Sequence, residues 1–111
     1  MGTVNPQCDI TILEAQSNYV WVRGISGPYM FEAKVYGTGS KYGIAKGRIS
    51  KFDVWMEPDK RGRKHWIANY DRDWDNYPEK EHWQSVDHVI GLLGAMPQPE
   101  DLKENMRFSL D

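Results

Sequence analysis

Three aspartates stand at every second position in the stretch WIANYDRDWDNYP: Asp71, Asp73 and Asp75. Carboxylates at such spacing are the raw material of a metal site. The D-x-D-x-D order also opens a calcium loop, but that loop requires Gly at its sixth position and Glu at its twelfth. Here those positions hold Asn76 and His82. In a continuous strand the three carboxylates would share one face, where like charges repel unless cations intervene. Pairing of Asp71 and Asp75 with Arg48 or Lys51 from a neighbouring strand answers that repulsion without a metal. The stretch therefore reads as a strand end handing over to a helix. Asn76 and Glu79 have the spacing of a capping box, with Pro78 in the first turn.

The remaining chemistry-bearing residues are sparse. His65, His82 and His88 fall in no metal-ligand spacing and have no Cys partner. Cys8 has no neighbour that would make it a thiolate nucleophile. The loop GTGSKYG (37–43) contains Gly-x-Gly followed by Ser-Lys, but a phosphate loop ends G-K-[ST] and opens a helix. Here a strand pattern follows, so its glycines read as flexibility. No catalytic residue, metal site or cofactor is expected. The segment DKRGRKH (59–65) clusters Lys60, Arg61, Arg63 and Lys64 around one glycine, and basic hairpin tips can track phosphates. Arg23, Lys34, Lys46, Arg48 and Lys51 extend that patch, and Trp55 and Trp66 offer stacking surface beside it. Five Trp in 111 residues exceed what a small core can hold. Trp83 is expected in the core, while Trp21, Trp55 and Trp74 are expected at the surface, where aromatics mark partner contacts. The expected partner- or nucleic-acid-binding set is thus Arg48, Lys51, Trp55, Lys60, Arg61, Arg63, Lys64 and Trp74.

These residues need elements to position them. YVWVRG (19–24) and YMFEAKVYG (29–37), joined by Ser26-Gly27-Pro28, predict a hairpin. Phe31, Ala33 and Val35 alternate with Glu32 and Lys34. RISKFDVWME (48–57) and HWIANYD (65–71) predict a second hairpin. PEKEHWQSVDHVIGLLGAM (78–96) then changes period, placing Trp83, Val86, Val89, Ile90 and Leu93 on one helical face that Gly94 and Pro97 end. The fold class expected is α+β: an antiparallel sheet of two hairpins, about four strands, packed against one amphipathic helix. Residues 1–17 read as an N-terminal arm or edge strand, 18–96 as a single domain and 97–111 as a C-terminal extension.

Composition bounds the class. Hydrophobic residues make up 40% of the chain, too many for a disordered one. No apolar run approaches the roughly 18 residues of a membrane helix. MGTVNPQCDITILEAQ has no secretory pattern, and a lone cysteine fits a reducing compartment. The formal net charge of −2 hides an asymmetry. Residues 23–66 hold ten Lys/Arg against four Asp/Glu, a net +6, while the rest holds four against twelve, a net −8. A surface so polarised can steer a charged partner.

The stretches YGIAKGRISKFDVW (42–55) and ANYDRDWD (68–75) resemble a family of small phage and prophage proteins. Its pattern is a Gly-rich loop, then G-R-I-S-K-L, then a strand ending Y-D-R-G-W-D. Gly47, Arg48, Ile49, Ser50 and Lys51 match it, as do Tyr70, Asp71, Arg72, Trp74 and Asp75. Phe52 and Asp73 depart from it, and Asp73 replaces a glycine, which argues against a shared third carboxylate. The resemblance covers about residues 20–78 and attaches no activity. It implies a small protein of a bacterial cytoplasm. The expected function is a non-enzymatic binding protein of phage or prophage type that docks onto a host or phage macromolecule. An inhibitor of a bacterial defence complex is one version. The alternative is a nucleic-acid-binding accessory protein using the basic hairpin tip.

Overall fold

The structure, a computed structural model, describes residues 7–111. Seven strands and one helix follow in the order β1 (Cys8–Ala15), β2 (Tyr19–Ser26), β3 (Tyr29–Tyr36), β4 (Ile49–Met56), β5 (His65–Asp71), β6 (Trp74–Asn76), α1 (Trp83–Gly94) and β7 (Arg107–Leu110). All pair antiparallel in one sheet of order β6-β5-β4-β3-β2-β1-β7. The two expected hairpins are β2–β3 and β4–β5. The class is α+β as expected, but the sheet is larger than the four strands anticipated. β1 is an inner strand between β2 and β7, not an edge. Its weak alternation hides a regular one, for Cys8, Ile10 and Ile12 are all buried. β6 and β7 have only three and four residues, too few to leave a period-2 signal. Residues 1–6 of the expected arm lie outside the described residues.

The sheet has one dry face. Ile10, Val20, Val22, Phe31, Ala33, Val35, Phe52, Val54 and Ala68 point to it and join Val86, Val89 and Leu93 of α1 in a single core. Gly24 sits directly opposite Phe31. A Cβ there would overlap the Phe31 ring, so the glycine is the space that the ring fills. The expected helix begins later than its pattern suggested. A 3-10 turn, Lys80–His82, precedes Trp83, and no side chain caps the helix. Asn76 is part of β6 and its amide faces Asn69 at 3.5 Å, so the capping box does not form. Trp83 is not core either. It is 44% exposed, with its indole N–H donating to the Pro78 carbonyl at 2.7 Å. At the first position of α1 its ring packs edge-to-face against Tyr77, 6.2 Å between centroids, outside the core cluster. Among the described residues no helix is long and apolar enough to cross a membrane.

Arg48 ties the layers together. Its guanidinium donates to the carbonyls of Tyr36 (2.7 Å), Gly94 (3.1 Å), Met96 (2.6 Å) and Pro97 (3.1 Å). The last three are carbonyls at and just beyond the C-terminal end of α1, where helical acceptors lack partners and the helix dipole is negative. Partial burial of the guanidinium pulls its pKa below the ordinary arginine value. Arg48, expected to face a partner, is therefore spent inside the molecule. Arg48→Ala is expected to lower stability by about 2–3 kcal/mol in urea denaturation, with Arg48→Lys recovering only part because an ammonium lacks the planar fork.

Candidate functional site

Among the described residues the second face of the sheet carries no helix. On it the outward positions of β2, β3 and β4 bring together side chains that the sequence spaces widely. Lys34 of β3 lies directly opposite Lys51 of β4, and Trp21 of β2 lies opposite Lys34. The Lys34 ammonium sits 4.4 Å from the Tyr19 ring centroid, 5.1 Å from Tyr36 and 5.8 Å from Trp21. The Lys51 ammonium is also 5.8 Å from Trp21. Cation–π contact of this kind is worth about 0.5–1 kcal/mol at an exposed site. Like charges directly opposite across a ladder cost a comparable amount. Among the described residues the ion pairs are Arg23–Glu32, Arg63–Asp59 and His82–Glu81, so neither lysine takes a carboxylate.

The Gly-rich segment builds the wall of this site. Residues 37–47 are not a flexible loop, as the glycines had implied, but a folded one. Ser40 N–H donates to Gly47 O, Gly43 N–H to Ser40 O, Lys46 N–H to Gly43 O and Gly47 N–H to Ile44 O, at 2.9–3.2 Å. Ala45 and Lys46 both take positive φ, 51° and 60°, a region that favours glycine. The chain doubles back so closely that a Cβ at Gly43 would run into the Gly47 carbonyl. The Tyr70 hydroxyl anchors the loop to β5 by donating to Tyr42 O at 2.8 Å. Burial, and then the charge of Asp73, push that phenol above its ordinary pKa.

A second wall, beside Tyr42 of the first, is the β5–β6 turn. Arg72 has φ 65° and its backbone N–H donates to Ser50 O at 3.1 Å, while its guanidinium lies 5.8 Å from the Tyr42 ring. Between these walls is a cavity of about 420 Å³, lined by Trp21, Lys34, Tyr36, Tyr42, Lys51 and Arg72, with Thr38, Ser40, Ser50 and Asp71 completing it. Three cations against one carboxylate give the lining a net +2. The volume falls within the roughly 300–1,000 Å³ of ligand sites. The arrangement is suited to holding an anion beside a flat π-system.

The aspartates that opened the question do not converge. Asp71 pairs in register with Lys51, and the strand then breaks. Asp73 Oδ1 accepts from Trp74 N–H at 2.8 Å in the turn, and Asp75 follows in β6. Among the described residues no three His, Cys, Asp or Glu side chains group to hold a metal. Cys8 is buried, and that burial raises its thiol pKa. His82 Nδ1 lies 2.7 Å from the Tyr29 hydroxyl.

The other expected contact residues divide. The hairpin tip is partly neutralised from within, since Asp59 accepts from the backbone N–H groups of Arg61 and Arg63 and from Arg63 Nε, at 2.9–3.0 Å. Lys60 and Arg61 remain exposed. Lys64 lies over Trp55 and Trp66, 4.4 and 5.2 Å from the ring centroids. Trp55, expected at the surface, is only 7% exposed because Trp66 and Lys64 cover it. Trp66 is the exposed ring of that pair, at 45%. Trp74 is half-buried in an edge-to-face series from Tyr70 through Trp74 and Tyr77 to Trp83. Of the expected set only Lys51 lines the cavity. Trp21, Lys34, Tyr36, Tyr42 and Arg72 stood outside it. Their signal was present, for Tyr19 and Trp21 alternate with the buried Val20 and Val22, and Lys34 and Tyr36 with the buried Val35.

Fold and site together define a two-layer α+β protein with a cationic, aromatic-walled pocket on the uncovered face of an antiparallel sheet. The chain belongs to a family described as a domain of unknown function (DUF7678), which matches residues 20–93. That span runs from β2 nearly to the end of α1 and contains every residue lining the pocket. No curated protein and no solved structure matches the chain.

Two outcomes follow from this geometry. Gly43→Ala should open the loop and cost about 1–3 kcal/mol, read as a lower thermal midpoint and faster amide exchange over residues 40–47. The Asp59 carboxyl is held below the usual carboxylate range, first by the Arg63 backbone N–H. Folding thus favours its charged form. That contribution is complete above the ordinary aspartate pKa of about 3.9 and is lost as pH falls through the lower folded value. NMR shifts of the Arg61 and Arg63 amides should titrate below about pH 3.9 and stop titrating in Asp59→Asn.

Proposed function

We propose that the protein is a small binding module, without catalysis of its own, that docks a negatively charged macromolecule on the open face of its sheet. The observation that carries this reading is the Lys34–Lys51 pair. Two facing ammonium groups repel, and the single carboxylate beside them, Asp71 opposite Lys51, leaves an excess of positive charge that an anionic partner offsets. The cavity lining contains no His or Cys, the usual proton carriers and nucleophiles at neutral pH. The setting rests on the resemblance to phage and prophage proteins: a bacterial cytoplasm, and a host or phage macromolecule as partner. A component of a bacterial defence complex is one version of that partner. The basic tip is the weaker docking element, because Asp59 already engages Arg63.

The test is fluorescence anisotropy with single-stranded nucleic acid, duplex and poly-glutamate, from about 50 to about 200 mM salt. At least one polyanion should bind at low salt, weaken steeply as salt rises, and lose binding to Lys34→Glu/Lys51→Glu. If none binds to the wild type at low salt, or the double variant binds equally well, the reading fails.

A further inference from the structure

The pocket contains more than an anionic surface needs. An acidic peptide is held by cations alone, yet Trp21, Tyr36 and Tyr42 share the lining with Lys34, Lys51 and Arg72. Rings beside cations match a ligand in which a flat aromatic group and an anion are joined. Every nucleobase offers a π-face to an aromatic side chain, and each such stack changes affinity by about tenfold or more. The phosphate linked to that base suits the three cations. We propose that the pocket holds one unpaired nucleotide of a single-stranded nucleic acid, its base against the Trp21 and Tyr42 rings and its phosphate among Lys34, Lys51 and Arg72. This rests on the docking reading above and names its partner.

The walls decide between strand types. Residues of the folded loop 37–47 and Arg72 line the same cavity, whose volume of about 420 Å³ is on the scale of a single nucleotide. A cavity of that size suits an unpaired base better than a base pair. Asp71, the one carboxylate of the lining, is an acceptor for an exocyclic amine or a sugar hydroxyl, and Thr38, Ser40 and Ser50 supply hydroxyls. A second aromatic–cation unit, Trp66 with Lys64, lies on the same face. Its partner Trp55 is four residues from Lys51 along β4, roughly 13 Å away. A chain longer than one nucleotide can reach both.

The experiment measures binding of single-stranded RNA and DNA oligonucleotides, the matching duplex, a nucleoside monophosphate and poly-glutamate. Tyr42 is the residue to change, because its ring is exposed and circular dichroism can verify the unchanged fold. Tyr42→Ala should weaken single-strand binding by about tenfold, Tyr42→Phe should retain it, and any residual duplex binding should not change. Trp21→Ala should act in the same direction. Poly-glutamate binding without nucleic-acid binding would overturn the inference and leave the docking reading standing. Equal affinity for strand and duplex, indifferent to Tyr42→Ala, would also overturn it, since phosphates alone would then be read. A monophosphate binding as tightly as the oligonucleotide would replace the strand by a free nucleotide. If the wild type binds no polyanion, both readings fall.

Discussion

A single helix of twelve residues covers a seven-stranded sheet, and Arg48 decides how it lies. Its four carbonyl contacts run from the end of β3 to the C-terminal end of α1. They satisfy acceptors that a helix end leaves bare and set a positive charge against the negative end of the dipole. With α1 fastened there, Val86, Val89 and Leu93 meet the β-branched and aromatic residues of one face. The other face remains in contact with water. That division into a dry and a wet side is what the rest of the molecule depends on.

Alternation along each strand then assigns every outward residue to the wet face. Polar side chains suffice to solvate such a face. Here Tyr19, Trp21 and Tyr36 stand on it together with Lys34 and Lys51, and two tight turns, one in the Gly-rich loop and one at Arg72, rise beside them. Both turns use left-handed backbone at non-glycine residues, Ala45, Lys46 and Arg72. Left-handed backbone is costly for residues with a Cβ and persists where surrounding contacts hold it, often at binding sites. Elsewhere in the molecule three arginines are engaged internally: Arg23 by Glu32, Arg63 by Asp59, and Arg48 by carbonyls. Lys34, Lys51 and Arg72 instead gather around one cavity that holds a single carboxylate, Asp71.

Much of the architecture was legible. Period-2 runs marked β2 to β5, and the change to a 3.6 period marked α1, because both patterns report a face buried on one side. The tryptophans show where that reading stops. Trp83 has the spacing of a core residue but sits at the helix start, against the Tyr77 ring and outside the core. Trp55 has the parity of a surface residue but is covered by Trp66 and Lys64 from the adjacent strand. Parity names a face, whereas burial depends on what stands over it. The aspartates failed as a cluster for a related reason. Their spacing assumed a continuous strand, and the turn at Arg72 and Asp73 breaks it.

By itself, the sequence determined the class of fold, the two central hairpins, the helix and its dry face, and the crowding of basic residues between positions 23 and 66. These are local properties, set by periodicity and turn chemistry within a few residues. Which cations stay unpaired, and which aromatics stand beside them, was decided only in the tertiary structure. Lys34 faces Lys51 across a ladder closed by a twelve-residue loop, and Arg72 arrives from the β5–β6 turn. Contacts between residues so far apart depend on register and on the path of the loop, and neither leaves a mark in the local pattern.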